Sequence, residues 1–210
     1  MANKVKNSNK KVLNEQSEKR IELVGKFIGN AKLKIILDIG VNNLALSDTI
    51  NAKKVLKLDI VKEANPDLIC DLNRDRIPLN NEEVDIVIAG EVMEHLNNPY
   101  RTAREFHRVL KRKGILIVTV PNVCSFVNRI KMLFGQLPAY CSIAWDSEHQ
   151  QDPEKHQNDF NLKSICEVLT VSGFDIEDIT SNGIVTHSKI LLTKCPPSLG
   201  EVLIIKAKKN

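Results

Sequence analysis

Val84-Asp-Ile-Val-Ile-Ala-Gly-Glu-Val-Met-Glu-His-Leu-Asn-Asn-Pro99 is the stretch on which the fold turns. It opens with a Val/Ile run over residues 84–89, of the kind buried on both faces of a parallel sheet. Asn98 then stands where a helix N-cap is expected, with Pro99 at the first helical position. The helix that follows is predicted to bury Ala103, Phe106, Val109 and Leu110, to carry Lys111, Arg112 and Lys113 in its last turn, and to stop at Gly114. Residues 115–120 read as the next strand, ending at Pro121-Asn122. Strand, helix, strand sets Glu91, Glu94 and His95 just past the C-terminal end of a buried strand, where open α/β sheets build their ligand sites.

Outward from this unit the pattern repeats. Upstream, Ile21, Val24, Phe27 and Ile28 recur at helical spacing over residues 18–28, and Gly29-Asn30 stops the run. Short apolar runs at 33–39 and 54–60 read as strands ending in Asp38-Ile39-Gly40 and Asp59-Ile60, with a weakly helical stretch between them. Residues 67–72 give a brief third strand. Downstream, 123–134 is predicted helical, 135–159 a long polar loop, and 162–171 a helix. Strands follow, to about residue 180 and at 200–207. Alternation followed by terminal strands predicts a mostly parallel sheet covered by helices, with a late antiparallel edge strand.

The 210 residues, 42% of them hydrophobic, suffice for one good core, so a single domain over residues 18–210 is expected. Residues 1–20 hold six basic side chains against Glu15 and Glu18, which accounts for the whole net charge of +4. Residues 1–17 therefore read as a flexible basic tail on an otherwise neutral domain. With 4% aromatic residues, a base-stacking nucleic-acid surface is not expected. No apolar segment follows the first lysines and no run has the length of a membrane span, so a soluble protein is expected. Five cysteines without a CxxC pair suit reduced thiols in the cytoplasm and argue against zinc.

The strand ends hold the candidate chemistry. Gly40 lets backbone approach a cofactor, and a helix after it would present free N–H groups. Asp59, about twenty residues on, stands where a carboxylate commonly accepts from a ribose diol. Asp71 and Leu72 offer a carboxylate and a backbone N–H to the edge of an adenine. Each aspartate can equally be an ordinary loop or cap residue. If residues 91–96 form a helical turn, Glu91, Glu94 and His95 lie at i, i+3 and i+4 and converge on one point. Two carboxylates and an imidazole suit magnesium or manganese, and iron or zinc less well.

The segments Leu37-Asp38-Ile39-Gly40, Leu58-Asp59-Ile60, Cys70-Asp71-Leu72, residues 85–96, 110–114 and 118–122, and Gly173-Phe174 follow one another as in the class I S-adenosylmethionine-dependent methyltransferases, which this chain resembles. The resemblance implies a Rossmann-like, doubly wound, seven-stranded sheet. It implies S-adenosylmethionine as cofactor and S-adenosylhomocysteine as product. Asp38, Gly40 and Asn42 would then lie toward the methionyl part, Asp59 and Ile60 at the ribose, Asp71 and Leu72 at the adenine, and Gly90 at the sulfonium. In the family's Asp-x-Gly-x-Gly-x-Gly loop this chain has Asn42 and Leu44 at the later glycine positions. Asn42 is expected to keep a left-handed turn.

Similar Glu-x-x-Glu-His segments bind a divalent metal in methyltransferases of small-RNA 3′ ends and of quinone precursors. The resemblance thus implies a metal at Glu91, Glu94 and His95, completed by His156 or by His149. The competing reading is metal-free, with His95 as general base and Glu91 beside it. The segment 121–160, resembling glycan and small-metabolite methyltransferases, would contact the acceptor, expected to be a sugar or small-molecule hydroxyl. A binding module that has lost its cofactor, and an RNA 2′-O-methyltransferase, are the alternatives.

Overall fold

In the computed structural model of the protein, alternate residues of the central strands feed two separate apolar cores, one on each face of a single sheet. The structure describes residues 2–42, 44–139, 141, 156–186 and 189–210, residues 2–14 and 189 by their backbone alone. The elements in order are α1 (Ala2–Ile28), β1 (Ile35–Ile39), β2 (Lys54–Asp59), β3 (Leu68–Ile69), β4 (Val84–Gly90), α2 (Pro99–Val109), β5 (Leu110–Pro121), α3 (Phe126–Leu133), α4 (Leu162–Val171), β6 (Phe174–Ser181), β7 (Ile184–Thr186), β8 (Lys189–Leu192) and β9 (Val202–Lys209). Leu37, Ile39, Val87, Ala89, Leu116 and Val118 face the core shared with α2 and α4. Ile36, Ile86, Ile88, Ile117 and Ile204 face the opposite core, which Val24, Ile21 and Phe27 of α1 cover. The period of two explains why these strands read as unbroken apolar runs: both faces are buried.

The seven strands lie in the order β3-β2-β1-β4-β5-β9-β6. β1, β2, β3, β4 and β5 pair in parallel, and β9 runs antiparallel to both β5 and β6. The mostly parallel sheet agrees with the sequence, but the antiparallel strand is not the edge: β9 lies one strand in, and β6 closes the sheet. The small hairpin β7–β8 stands apart. No helix of the described residues is long and apolar enough to cross a membrane.

Three local expectations are corrected. α2 ends at Val109, because Leu110 turns extended and pairs with Val84 in the sheet. Residues 111–114 then loop out, with Lys113 at φ 60°, before Ile115 rejoins opposite Ile86. A Cβ at Gly114 would sit 2.8 Å from the Lys111 carbonyl oxygen, so this turn needs glycine. Lys111 is therefore no helix-terminal charge, and its Nζ reaches Asp85 at 3.0 Å. Between β1 and β2 the described residues of 41–53 form turns, not the expected weak helix. Leu44, Leu46, Ile50 and Ala52 from this segment pack into the α1-side core. Finally, the helical backbone of α1 begins at Ala2, well before residue 18, so it runs through the segment read as a tail.

Candidate functional site

The strand order reverses between β1 and β4, and a cleft of about 400 Å³ opens there at the C-terminal ends of β1, β2 and β4. Gly40, Asn42, Asp59, Ile60, Asp71 and Leu72 line it, as do Cys70, Asn73, Val92, Glu91, His95 and His156. Six of the eight residues expected to meet a nucleoside cofactor are thus gathered on one wall.

Gly40 makes the tight turn out of β1 at φ 81°. A Cβ there would overlap Cγ2 of Val92 and come within 3.1 Å of the Gly90 carbonyl oxygen, so only glycine keeps the cleft open at this point. Asp59, 6% exposed, braces the loops: Oδ2 accepts from the Asn42 N–H and Oδ1 from the Val61 N–H, both at 2.9 Å. Asn42 holds the turn through that N–H rather than through a left-handed backbone, since the non-glycine residues at positive φ are Asn65, Glu82, Glu91 and Lys113. Asp71 Oδ1 accepts from the Asn73 N–H at 2.9 Å, and the Leu72 carbonyl is fixed by Arg101 Nη1 at 3.0 Å.

Two expected contacts lie elsewhere. Asp38 does not line the cleft: it is 1% exposed and its Oδ2 accepts from the backbone N–H and the hydroxyl of Ser47, at 2.9 and 2.7 Å. Burial pushes its carboxyl up to about 6, against the pull of those two bonds. Gly90 lines a smaller side cavity of about 80 Å³ with Arg20, Gly40, Leu44, Leu46 and Glu91.

Glu91 departs from the expected helical turn. Its backbone is left-handed (φ 54°), and the 3-10 turn spans only Met93–His95. The reversed φ swings Glu91 away from the turn. Its Oε1 accepts from the Thr119 hydroxyl at 3.0 Å, and its Oε2 lies 3.3 Å from Arg20 Nη1. The spacing i, i+3, i+4 therefore does not bring the three side chains to one point. Glu94, His95 and His156 do meet, with one ligand atom of each within 4.8 Å of the others. His156 arrives because the Gln157 and Asn158 N–H groups donate to the Glu94 carbonyl, at 2.7 and 3.0 Å. Its ring stands edge-on to that of His95 at 4.9 Å. His149 lies outside the described residues.

Glu94 is 1% exposed, and among the described residues neither of its carboxylate oxygens has a hydrogen-bond partner. Burial first, and the nearby Glu91 charge second, push its carboxyl well above the usual range. A buried carboxylate without donors beside two imidazoles has the chemistry of a divalent-cation site. Arg20 is the site residue missed in the sequence, where it counted only as tail charge. Its position four residues before Val24 and seven before Phe27, on the inward face of α1, was the available signal.

Residues 37–118 match the family described as Methyltransferase domain. A probable S-adenosylmethionine-dependent methyltransferase of Mycolicibacterium smegmatis is 27% identical over 108 residues, half of this chain and 34% of that protein. One of Mycobacterium tuberculosis is 41% identical over 54 residues, 26% of this chain and 20% of that protein. The chain thus spans a third or less of the length of these curated relatives. Among solved structures, an S-adenosylmethionine-dependent methyltransferase of Thermotoga maritima superposes with a TM-score of 0.68 at 15% identity, over 92% of this chain and 89% of that one. Residues 37–118 of this chain are thus similar to the methyltransferase domain family, and its fold is that of these solved methyltransferases.

Proposed function

We propose that this chain is an active S-adenosylmethionine-dependent methyltransferase whose acceptor is a hydroxyl on a sugar, glycan or small metabolite. The observation that carries it is the continuity of one cleft from Asp59, Asp71 and Leu72 at one end to His95 and His156 at the other. The cofactor, when bound, supplies a methyl group already activated on a sulfonium. Gly40 and Asn42 would seat its methionyl part, Asp59 and Ile60 the ribose, and Asp71 and Leu72 the adenine. The protein's own tasks are to align the acceptor oxygen, exclude water and accept the hydroxyl proton. His95, which lines the cleft, would take that proton as the new C–O bond forms and the S–C bond breaks. The Thermotoga neighbour is described as a possible histamine N-methyltransferase. The hydroxyl reading rests on the imidazole and carboxylate groups of this chain.

The oxygens of Glu94, which have no hydrogen-bond partner among the described residues, favour a second reading, in which Glu94, His95 and His156 would hold magnesium or manganese and the metal would supply Lewis acidity at the acceptor. Titration calorimetry of the full chain with S-adenosylmethionine and S-adenosylhomocysteine, in manganese and again in EDTA, separates these readings. Binding tighter than about 100 μM is expected for both compounds. No binding would leave a fold that has lost its cofactor. Manganese binding that disappears in Glu94→Gln, while S-adenosylhomocysteine still binds, would establish the metal. Affinity for RNA that weakens steeply with salt would instead support the RNA acceptor.

A further inference from the structure

We propose that the face built by α3 and the β7–β8 hairpin docks the protein on an anionic lipid bilayer, with α3 lying in the headgroup layer. This goes beyond the transfer reaction proposed above and is tested with no cofactor present.

Two properties coincide on this face. The first is apolar exposure: of the thirteen large apolar side chains exposed among the described residues, eight lie within residues 126–137 and 191–192. Phe126, Ile130, Leu133, Phe134 and Leu137 follow a helical stripe, and Leu133 and Phe134 are 78% and 79% exposed. The frame that holds them outward is fixed: Ser125 caps α3, and the buried Asn128 side chain accepts from the Ala139 N–H at 2.9 Å. The β7–β8 hairpin packs beside α3 and adds Leu191 and Leu192. The second property is charge. Residues 126–139 and 184–200 carry Arg129, Lys131, Lys189 and Lys194 and no acidic residue. α1 joins them: Gln16 Nε2 donates to Glu201 at 3.0 Å, next to the turn 197–199, whose Ser198 carbonyl accepts from Arg129 Nη2 at 3.2 Å. Residues 1–14, just before that contact, add Lys4, Lys6, Lys10 and Lys11 and again no acid. These 45 residues hold eight basic and no acidic side chains, whereas the other 165 hold 22 basic and 26 acidic.

An apolar stripe interspersed with Lys and Arg is the composition of a helix that lies in a lipid interface. A second copy of the chain on this face would set basic segments against basic segments. A nucleic acid would answer the charge but leave Ile130, Leu133 and Leu137 facing water or phosphate. A bilayer with anionic headgroups satisfies both halves, taking up the apolar side chains and neutralising the lysines. The face also adjoins the candidate site, since Pro121, Val123 and Ala139, which flank α3, share a crevice with Glu94 and His156.

The test is flotation of the full chain with vesicles of phosphatidylcholine alone and with vesicles that also contain about 30% phosphatidylglycerol. Binding is expected to the anionic vesicles only, and to weaken as salt is raised. Leu133→Ser combined with Phe134→Ser, both outside the cores, is expected to weaken that binding at least about 10-fold and to leave the midpoint of thermal unfolding unchanged. Should this variant fail to fold, Lys131→Gln combined with Lys194→Gln is expected to weaken binding about 10-fold. No binding to anionic vesicles, equal binding to both kinds, or binding that these variants keep in full overturns the proposal. Binding that survives them and is lost only when residues 1–14 are removed overturns it too, because charge alone would then hold the protein. A dimer in vesicle-free solution that Leu133→Ser and Phe134→Ser dissociate would assign the face to a second copy instead.

Discussion

Asp38 and Gly40 sit two residues apart at the end of β1 and do opposite things. Asp38 turns inward, where Ser47 supplies its donors, and burial raises its carboxyl from 3.8 to about 6. A raised pKa means that the fold favours the protonated form. The associated stability is present in full below about pH 3.8 and is lost as pH rises through about 6. Asp38→Asn keeps an acceptor for Ser47 and removes the buried charge. It is expected to stabilise the protein at pH 7.5 by up to about 3 kcal/mol, with the gain vanishing near pH 4. Urea unfolding at the two pH values checks this; equal shifts at both would show that burial of the charge is not the cause. Gly40→Ala places a Cβ into Val92 and a side chain at φ 81°. It should cost about 1–2 kcal/mol in thermal unfolding. It should also weaken S-adenosylhomocysteine further than that loss of stability explains, since the displaced atoms line the cleft.

At the scale of elements, legibility followed burial. β4 was plain in the sequence because both its faces are covered, and α4 because Asn161 and Ser164 cap it reciprocally. His156 was a ligand candidate only through the resemblance, and the structure brings it to the 93–95 turn through the Gln157 and Asn158 N–H bonds to the Glu94 carbonyl. What the pattern could not carry was backbone sign. Positive φ at Lys113 puts a bulge early in β5 where the basic run reads as a helix end, and positive φ at Glu91 detaches it from Glu94 and His95. Leu44 looked like a damaged glycine position, whereas it packs into the α1-side core where the expected helix is missing. α1 offers the corresponding test. Gly25 lies inside this helix, and a Cβ there would meet nothing within 4 Å. Gly25→Ala is expected to add about 0.5–1 kcal/mol, read as a raised midpoint of thermal unfolding. A lowered midpoint would mean that α1 is not packed on the sheet as described.

For the whole molecule, the consequential feature is that the last strand in sequence is interior in space. β9 pairs with β5 from Ile115–Lys208 to Pro121–Val202, and on its other side with β6 from Phe174 onward. Leu203, Ile204, Ile205 and Ala207 are fully buried and contribute to both cores. The sheet therefore closes only after the final strand inserts between two that precede it, a pairing of high sequence separation. The opposite edge is different: β3 is two residues long, and Ile69 on it is half exposed. A chain ended at residue 200 should lose both cores together, giving exposed apolar surface that binds ANS and no cooperative thermal transition. Ile69→Lys should change stability by no more than about 0.5 kcal/mol. Cooperative unfolding of the shortened chain would show that β1, β2, β4 and β5 form a self-sufficient unit. The cleft wall formed by the residues after β1, β2 and β3 would then fold without the C-terminal strands, and S-adenosylhomocysteine binding by the shortened chain would report it.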